Sequence, residues 1–420
     1  MRTVGIVVEY NPFHNGHYYH VQQSRKITGA DAVVAVMSGH FLQRGEPALL
    51  DKWTRAEMAL RGGCDLVLEL PAAYSTQSAE WFARGAVATL DATGVVDALC
   101  FGSESGDIRS FRAAAQLLRE EPASFKQALN DRLAEGVPYP AAYEYALSAH
   151  AAEQGIPPLA VAQPNNSLGL HYTLAIERIG SAINPYTIRR EKSGYNDQTP
   201  SDESIASATA IRKLLLEAGD LDAARPFVPQ TTLTLMKRDR DMGRIAADWR
   251  LFEKQLLHSI MTRSIEELGE IHEMTEGLEH RLLHTVRQLS EVRFESLLEQ
   301  LKTKRYTRTK LQRALLAVLL NHKKSDFASN KLAEGPGYIR VLGFTPTGQA
   351  LLKKMRTSSR WPVLMSAAGA LDQLPYLALD IRATAVYALG RGANASSRDL
   401  LRDYYEQPIR IGMDATAAAE

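Results

Sequence analysis

The amino-acid sequence predicts an α/β protein, with an N-terminal Rossmann-like parallel sheet followed by a mainly α-helical C-terminal region. Two observations carry this prediction. In the first hundred residues, short runs that are apolar at every position alternate with helical stretches, which is typical of parallel strands covered on both faces. From about residue 220 onward, the apolar residues recur almost entirely with helical spacing. Right-handed crossovers then give an open sheet whose ligand site lies at the carboxyl ends of the strands.

The strands and helices of the N-terminal part follow one another in order. Strands are predicted over residues 4–8, 32–37, 66–70 and 97–101, with one more near 188–190. Helices are predicted over residues 16–27, 52–60, 81–90 and 204–217, and in the C-terminal part over 249–263, 280–287 and 310–320. We therefore expect an N-terminal domain over 1–217 with a helical insertion around 106–158, a helical region over 218–410, and a flexible tail over 411–420.

Composition narrows the class of protein. The chain has 420 residues, of which 45% are hydrophobic and 23% charged, so wholesale disorder is excluded. Lysine and arginine number 49 against 48 acidic residues, which excludes a globally basic nucleic-acid coat protein but leaves room for a local basic patch. Cys64 and Cys100 are the only cysteines, and no apolar run is long enough to span a bilayer. We expect a cytoplasmic protein.

The loop after the first strand contains a His-x-Gly-His sequence, His14 to His17, with His20 three residues further on. Three interpretations are open. In the first, one helical face presents three imidazoles to a metal, although no nearby carboxylate or cysteine completes such a site. In the second, the histidines simply lie on a surface helix. In the third interpretation, a strand-to-helix turn offers free N–H groups and two imidazoles to a polyphosphate, and Gly16 allows close approach.

Several ordered segments resemble one known family. The segments are VVEYNPFHNGH at 7–17, SGHFLQRGEPA at 38–48, QSAEWFARGA at 77–86, FGSE at 101–104, QPNN at 163–166, SIASATAIR at 204–212 and, more thinly, YIRVLGF at 338–344. Together they resemble the HIGH-type nucleotidyltransferase superfamily and, within it, the bacterial tRNA(Met) cytidine acetate ligase family. The resemblance is dense over residues 1–215.

The resemblance implies an N-terminal nucleotidyltransferase domain and a ligase that converts ATP to AMP and diphosphate. Such an enzyme activates acetate to acetyl-adenylate and acetylates the exocyclic amine of the wobble cytidine of elongator tRNA(Met), forming N(4)-acetylcytidine. His14 and His17 are the implied catalytic residues. The implied ATP-binding residues are Val7, Val8, Glu9, Tyr10, Asn11, Pro12, Phe13, His14, Asn15, Gly16, His17, Tyr18, Tyr19, His20, Gly102, Asn165 and Arg190. The adjacent pairs Asn165-Asn166 and Arg189-Arg190 leave the register of those two contacts open by one residue.

Each of these other segments also has a purely structural interpretation. Gly102 follows a strand where a Cβ would obstruct a nucleoside, and the alternative is a turn glycine. For Asn165 and Asn166 the alternative is a helix cap, and for Arg189-Arg190 it is a solvated pair. Ser207 and Thr209 are candidates for the β,γ-phosphates, or Ser207 is an N-cap beside a solvated Arg212. Gln43, Arg44 and Lys52 are either a lid over the site or ordinary surface residues.

The expected chemistry needs no nucleophilic side chain. A carboxylate is already a nucleophile at neutral pH, so the protein has only to position the groups and disperse charge. The sequence contains neither a Gly-x-Ser-x-Gly elbow nor a Walker motif, which agrees with this expectation. Mg²⁺ is expected with ATP, but no dedicated metal ligand is identifiable.

A basic segment in the helical region is the RNA-binding candidate. Eight lysines and arginines and no acidic residue lie between Leu301 and Ser325. The predicted tRNA-binding residues are Lys302, Lys304, Arg305, Arg308, Lys310 and Arg313, and Tyr306 among them is a candidate for stacking on an unpaired base. No membrane or protein partner is evident. Two other functions stay open, a small-molecule adenylyltransferase of the same superfamily and a non-catalytic nucleotide- and RNA-binding protein.

Overall fold

One mixed β-sheet organises the fold. The structure is a computed structural model, and it describes the chain except for residues 121, 138, 154, 156–158, 191–205, 219, 245–247, 304, 370–373, 392–394 and 413–420. The described residues contain eight strands: β1 (Thr3–Val8), β2 (Ala32–Ser38), β3 (Leu66–Leu70), β4 (Ala98–Ser103), β5 (Asn184–Arg189), β6 (Ile339–Phe344), β7 (Val363–Leu364) and β8 (Ile409–Arg410). The order in the sheet is β5-β4-β1-β2-β3-β6-β7, and β8 pairs with the other end of β6.

The first five strands are parallel, as the sequence predicts. β1 pairs with β2 on one side and β4 on the other, β2 pairs with β3, and β4 with β5. β6 is antiparallel to β3, while β7 and β8 run parallel to β6. Because the chain leaves β3 and crosses to β4 on the far side of β1, the order of the strands reverses between β1 and β4. In open α/β sheets such a reversal opens a crevice at the carboxyl ends of the strands.

Helices cover both faces of the sheet and form a third layer. The described helices are α1 (Asn15–Thr28), α2 (Lys52–Arg61), α3 (Ala72–Ser75), α4 (Ala79–Ala92), α5 (Ile108–Glu120), α6 (Ala123–Ala134), α7 (Tyr139–Glu153), α8 (Pro164–Ile179), α9 (Ala208–Ala218), α10 (Gln230–Asp241), α11 (Glu253–Met261), α12 (Ile265–Gly269), α13 (Leu278–Gln288), α14 (Phe294–Leu301), α15 (Arg308–Leu320), α16 (Ser329–Ala333), α17 (Pro346–Ser358), α18 (Pro375–Leu389), α19 (Ser397–Leu400) and α20 (Arg402–Tyr405). Short 3-10 turns cover Leu221–Ala224, Trp249–Phe252 and Lys324–Phe327.

Alternation along the strands explains why both faces are covered. On β2, the side chains of Val33 and Met37 face a core shared with α1, α2, α9 and α10. Val34 and Val36 face the opposite core, which is shared with α4, α5, α8 and α17. Since successive side chains of a strand point to opposite faces, only a run that is apolar at every position can fill both cores. The helices α11 to α15 surround a third apolar core, to which Phe41, Ala72 and residues of α18 also contribute.

The C-terminal region contributes more than helices. β6, β7 and β8 all lie within the range predicted as mainly helical, and β6 completes the sheet beside β3. The expected boundary at residue 217 therefore does not separate the sheet from the rest of the chain. The stretch 106–158, expected as a helical insertion, holds α5, α6 and α7. Of the expected flexible tail, 413–420 lie outside the described residues.

A buried charge network joins α2 and β3 to β6 and α20. The ammonium of Lys52 on α2 lies 2.7 Å from the Glu69 carboxylate on β3 and 2.8 Å from the Asp403 carboxylate on α20. The guanidinium of Arg340 on β6 lies 3.3 Å from the same Asp403 oxygen. All four side chains are at least 96% buried, so the pairing is shielded from water. Lys52 is thus neither the lid residue nor the surface residue that the sequence suggested.

In the described part of the chain, no helix is long and apolar enough to cross a bilayer.

Candidate active site

A cavity of about 1420 Å³ opens at the carboxyl ends of β1, β4 and β5. One wall comes from the loop after β1, from Gly102 and Arg190 at the ends of β4 and β5, and from the starts of α8 and α9. The opposite wall comes from the helical region. Its residues are Asp248, Trp249, Arg250, Glu253, Phe294, Glu295, Arg308 and Gln312. The cavity therefore lies between the sheet and the helical layer, at the place where the strand order reverses.

The His-x-Gly-His turn begins α1. His14 is the N-cap of the helix, and its Nδ1 accepts a hydrogen bond from the Gly16 backbone N–H at 3.1 Å. The Nδ1 of His17 accepts in return from the His14 backbone N–H at 3.3 Å, which completes a capping box made of two imidazoles. The two rings stack with their centroids 3.7 Å apart. Both line the cavity, so the same side chains that start the helix also face the site.

The protonation of these histidines follows from their surroundings. Burial lowers the pKa of His14 to about 3, with Arg190 and Arg212 acting in the same direction. Burial likewise lowers the pKa of His17 well below its ordinary value and that of His20 to about 4. Both His14 and His17 are therefore neutral near pH 7, and because the Nδ1 of His14 accepts a backbone N–H, the His14 ring carries its proton on Nε2. The His17 ring also hydrogen-bonds the Pro12 carbonyl. The turn thus presents the His14 N–H as a donor.

Aromatic rings pack against the His-x-Gly-His turn. The rings of Tyr10 and His17 lie 4.9 Å apart, and those of Tyr10 and Phe13 lie 4.7 Å apart. Phe13 is fully buried, and its ring occupies the space next to Gly62, where an added Cβ would lie only 2.2 Å from the ring. Gly62 is therefore required for Phe13 to sit where it does. Phe13 belongs to the core beneath the site rather than to the cavity wall.

Asn165 and Asn166 differ in their surroundings: Asn166 is buried, whereas Asn165 lines the cavity. Asn166 is fully buried, and its Oδ1 accepts from the backbone N–H groups of Glu104 and Ser105, both at 3.1 Å. The Glu104 carboxylate accepts from the Asn166 backbone N–H at 2.7 Å and from the Asn165 side chain at 2.7 Å. Asn165 lines the cavity. The N-cap of α8 is Gln163, so the capping interpretation of this asparagine pair is wrong; Glu104 covers the exposed N–H groups instead.

Gly102 and Arg190 meet where β4 and β5 reach the cavity. A Cβ on Gly102 would lie 3.4 Å from Arg190 Cγ, an ordinary contact, so the packing of the protein itself does not require glycine here. Both residues of the Arg189-Arg190 pair line the cavity. Arg190 continues the pairing of β5, since its backbone N–H donates to the Ser103 carbonyl at 2.9 Å.

The start of α9 also lines the cavity. Ser207, whose Oγ accepts from the Ala210 backbone N–H at 3.1 Å, lines the cavity together with Thr209. The Arg212 guanidinium donates to the Asn11 carbonyl at 3.0 Å and lies 3.5 Å from the Glu46 carboxylate. Ser207 is thus a cap that also faces the site, whereas Arg212, 21% exposed, bridges two loops. Residues 204 and 205 of this motif lie outside the described residues.

Four of the predicted ATP-binding residues do not line the cavity: Pro12, Phe13, Asn15 and Tyr18. The side chain of Asn15 donates to the Pro226 carbonyl at 2.9 Å, and Tyr18 is half exposed on the outer face of α1. All the others in the described chain line it. Sequence reasoning missed Glu46 and most of the helical wall, because no local motif marks residues that reach the site from distant segments.

Sequence reasoning also missed Arg55, which is fully buried beneath the site. Its guanidinium donates only to backbone carbonyls, which are those of Leu50 at 3.0 Å, Glu9 at 2.6 Å, Ser38 at 3.0 Å, and Gly39. It therefore ties the end of β1 to the end of β2. An arginine in a sequence gives no sign of such a role.

The helical wall carries aromatic rings and an ion pair. The rings of Trp249 and Phe294 stack in parallel with centroids 4.2 Å apart. Arg308 contacts the Glu295 carboxylate at 2.7 and 2.8 Å, and both side chains are about half exposed. Arg308, predicted as an RNA-binding residue, thus lies on the cavity wall.

The other residues of the basic segment differ in exposure and in their ion-pair partners. Lys302 is exposed, and Arg305 is 70% exposed with Glu276 at 3.5 Å. Lys310 and Arg313 are mostly buried and share the Glu273 carboxylate. Lys304 lies outside the described residues.

Tyr306 is only 7% exposed, and its hydroxyl donates to the Glu276 carbonyl at 3.1 Å. The prediction that it stacks on a base is therefore wrong, because the ring fills the core of the helical layer.

The described residues contain no group of three or more histidine, cysteine, aspartate or glutamate side chains that could hold a metal ion. The metal interpretation of His14, His17 and His20 is therefore not supported.

Comparison with known proteins agrees with this geometry. The profile of the HIGH Nucleotidyl Transferase family matches residues 1–403. A tRNA(Met) cytidine acetate ligase from Lysinibacillus sphaericus is 41% identical over 410 residues, covering 98% of this chain and 100% of that protein. The Bacillus subtilis protein of the same name is 40% identical over 416 residues, covering 99% and 98%. The crystal structure of Thermotoga maritima TmcAL bound with alpha-thio ATP superimposes with a TM-score of 0.88 at 34% identity, covering 98% of this chain and 100% of that one.

A sheet whose strand order reverses beside a His-x-Gly-His turn defines the class of the HIGH nucleotidyltransferases. Within that class, the near full-length identity to several relatives settles the family. The chain belongs to the tRNA(Met) cytidine acetate ligase family.

Proposed function

We propose that this protein activates acetate with ATP and then acetylates the exocyclic amine of the wobble cytidine of elongator tRNA(Met), forming N(4)-acetylcytidine. The observation that carries the proposal is the cavity with two unlike walls. One wall presents donors suited to a nucleotide, and the other is built by the helical layer that carries basic and aromatic residues. A small-molecule adenylyltransferase has no need of the second wall.

In the first step, a carboxylate oxygen of acetate attacks the α-phosphorus of ATP, and the bond from that phosphorus to the pyrophosphate oxygen breaks. No base is required. The barrier falls when donors are already placed around the phosphates, where negative charge redistributes. The Nε2–H group of His14, the His17 imidazole and the guanidinium of Arg190 supply such donors in our proposal, together with the Ser207 and Thr209 hydroxyls.

We assign the nucleotide to the β4 and β5 side of the cavity. Gly102 leaves space at the sheet edge, and Asn165 and Arg190 stand on either side of it. We expect Mg²⁺ to enter with the ATP phosphates, which commonly supply most of its non-water ligands. Acetylation of a tRNA takes place where tRNA is found, so we place the protein in the cytoplasm.

The tRNA would approach from the helical layer. Lys302 and Arg305 are exposed, and Arg308, about half exposed, lies on the cavity wall, whereas Glu273 largely neutralises Lys310 and Arg313. An anticodon base can be splayed out of its loop at a cost of roughly a few kcal/mol, so an unpaired cytidine can enter the cavity.

The deciding experiment is pyrophosphate exchange with acetate and ATP in the absence of RNA, followed by detection of N(4)-acetylcytidine once tRNA(Met) is added. The proposal expects exchange that depends on acetate, and acetylation that depends on tRNA. Exchange that requires a nucleotide-like acceptor in place of acetate would select the small-molecule enzyme. No exchange at all would select a non-catalytic binding protein.

The tRNA-binding surface is tested by charge reversal. The pair Lys302→Glu and Arg305→Glu should weaken tRNA binding, and the log–log salt slope should fall by roughly 0.7–0.9 for each phosphate that the protein no longer neutralises. The matched control is Lys353→Glu with Lys354→Glu, the same charge change on the exposed face of α17. An equal loss of affinity in both variants would show that only net charge matters and would remove the assignment.

A further inference from the structure

One carboxylate on the cavity wall has no part in the chemistry described so far. Glu9 directly follows β1 and lines the cavity. Its Oε1 accepts from the Gln43 backbone N–H at 2.8 Å and lies 3.5 Å from the Ser38 hydroxyl. Within the described chain, its Oε2 accepts no hydrogen bond. Half of this carboxylate is therefore held in place, and the other half is available to a ligand.

The other acidic residues of the cavity are engaged differently. Glu46 contacts Arg212 at 3.5 Å and Gln312 at 3.4 Å, and Glu295 contacts Arg308 at 2.7 Å. On the same wall, Asp248 pairs with Arg250, and Glu253 accepts from the Phe294 backbone N–H. Glu217 is solvent-exposed at the rim. Among the described lining residues, Glu9 is the one recessed carboxylate without an ion-pair partner.

The position of Glu9 separates it from the nucleotide side. Its two hydrogen-bond partners belong to β2 and the loop after it, whereas Gly102 and Arg190 lie beyond β1 on β4 and β5. Glu46 and Gln312 lie on the Glu9 side and join the sheet wall to the helical wall. An acceptor that enters along the helical wall therefore reaches Glu9 before it reaches the nucleotide pocket.

Only the second step of the reaction needs a base. The lone pair of the cytidine N4 is conjugated with the ring, and attack on a carbonyl carbon places positive charge on that nitrogen, so a proton has to leave. We propose that Glu9 is the general base of the acetyl-transfer step, an assignment that rests on the proposed function. N4 bonds to the acetyl carbon, its proton passes to Glu9 Oε2, and the bond from the acetyl carbon to the AMP phosphate oxygen breaks. The electron pair leaves with AMP.

The surroundings of Glu9 suit that task. Burial raises the pKa of Glu9, and the negative charge of Glu46 raises it further. The Gln43 N–H and the guanidinium groups of Arg55 and Arg212 oppose this, and the balance stays on the raised side. A base whose pKa is closer to the working pH takes a proton more readily from the reacting amine.

The test uses single-turnover acetyl transfer. The full-length enzyme is loaded with ATP and labelled acetate, the bound acetyl-adenylate is quantified, and tRNA(Met) is added with quenching at short times. The rate constant is expressed per loaded enzyme, so any effect of a variant on loading is divided out. Glu9→Gln keeps the acceptor for the Gln43 N–H but cannot take a proton. It should slow transfer about 10²–10⁴-fold. The fall of the rate at low pH should also disappear, while Glu9→Asp should restore part of the rate and the pH dependence.

Glu46→Gln is the matched control. It neutralises a neighbouring carboxylate on the same side of the cavity, so it should keep the low-pH fall and move it to lower pH, because one charge that raises the pKa of Glu9 has been removed. A Glu9→Gln rate within a few-fold of wild type, or an unchanged pH profile, would overturn the proposal. So would a Glu9→Gln variant whose defect is cured by more Mg²⁺, because that result identifies a cation ligand. A wild-type enzyme that forms no acetyl-adenylate would refute the proposed function itself, and this assignment with it.

Discussion

Replacing Asp403 by alanine should destabilise the whole sheet, because this side chain pairs with cations on α2 and on β6, which lie 351 and 63 residues away in the sequence. Its carboxylate contacts Lys52 on α2 at 2.8 Å and Arg340 on β6 at 3.3 Å, and it accepts from the Thr384 hydroxyl. Two buried cations and two buried carboxylates balance in the native network. Without Asp403, one positive charge stays buried without compensation.

The expected cost follows from that imbalance. Removing one partner of a buried ion pair costs about 3–5 kcal/mol, because the remaining charge keeps its desolvation penalty and loses its attraction. The free energy of unfolding is measured by urea denaturation, followed by both tryptophan fluorescence and far-ultraviolet circular dichroism. As a control, Glu120→Ala removes an exposed partner of Arg119 at 3.2 Å and should cost less than about 1 kcal/mol.

A second substitution identifies the cause. Lys52→Met added to Asp403→Ala removes the orphaned cation and leaves Glu69 near Arg340, so the double variant should recover more than half of the loss. If the double variant is as unstable as the sum of the two single variants, the buried charge is not the cause. If Asp403→Ala shifts neither probe, the network contributes nothing to stability and the reasoning is refuted.

Three further predictions concern the site and the fold. His14→Asn keeps a side-chain acceptor for the start of α1, so it should retain stability while losing about 10²–10³-fold in pyrophosphate exchange; His14→Ala should lose the exchange and, in addition, about 1 kcal/mol of stability. Stability should fall with acid between pH 6.5 and 5, because burial lowers the pKa of both His14 and His322 to about 3 and the unfolded chain therefore binds protons that the native state does not. Together the two histidines should lower the free energy of unfolding at pH 5 by about 4 kcal/mol relative to pH 8. Denaturant titrations in which the free energy of unfolding does not change with pH would contradict this prediction. Gly62→Ala should push Phe13 out of place and cost about 1–3 kcal/mol, with slower exchange; an unchanged melting curve and exchange rate would show that the ring moves freely.

The sequence predicts features that depend on neighbours along the chain. Four of the five parallel strands are recognisable because each contains a short, mostly apolar run, and the family motifs begin or end at those strands. β5 has the sequence NPYTIR and no such run, and only its last two residues fall in the predicted range. The helices that follow β1 and β2 also fall within a residue or two of the expected ranges. The positions of these strands and helices depend on neighbouring residues, so they can be predicted from the local sequence.

Long-range pairing accounts for the failures. β6 contains Arg340 and Gly343 and lies in a helical neighbourhood, and its partner β3 is far away in sequence, so nothing local marks it as a strand. Lys52 is buried only because Asp403, 351 residues later, meets it. The basic segment has no acidic residue of its own, yet Glu273 from another segment neutralises two of its members. A charge pattern read along the chain cannot reveal such partners.

Because β6 pairs with β3, β3 has to wait during translation until its partner strand has been synthesised. β3 ends at Leu70, and β6 begins at Ile339, so the ribosome adds about 270 residues between them. At about 5–20 residues per second, that takes roughly 13–54 s. During this interval β3 is an open sheet edge with unpaired N–H and C=O groups, the kind of surface on which nascent chains associate wrongly. Expression of this enzyme should therefore respond to chaperones that shield exposed strands during translation.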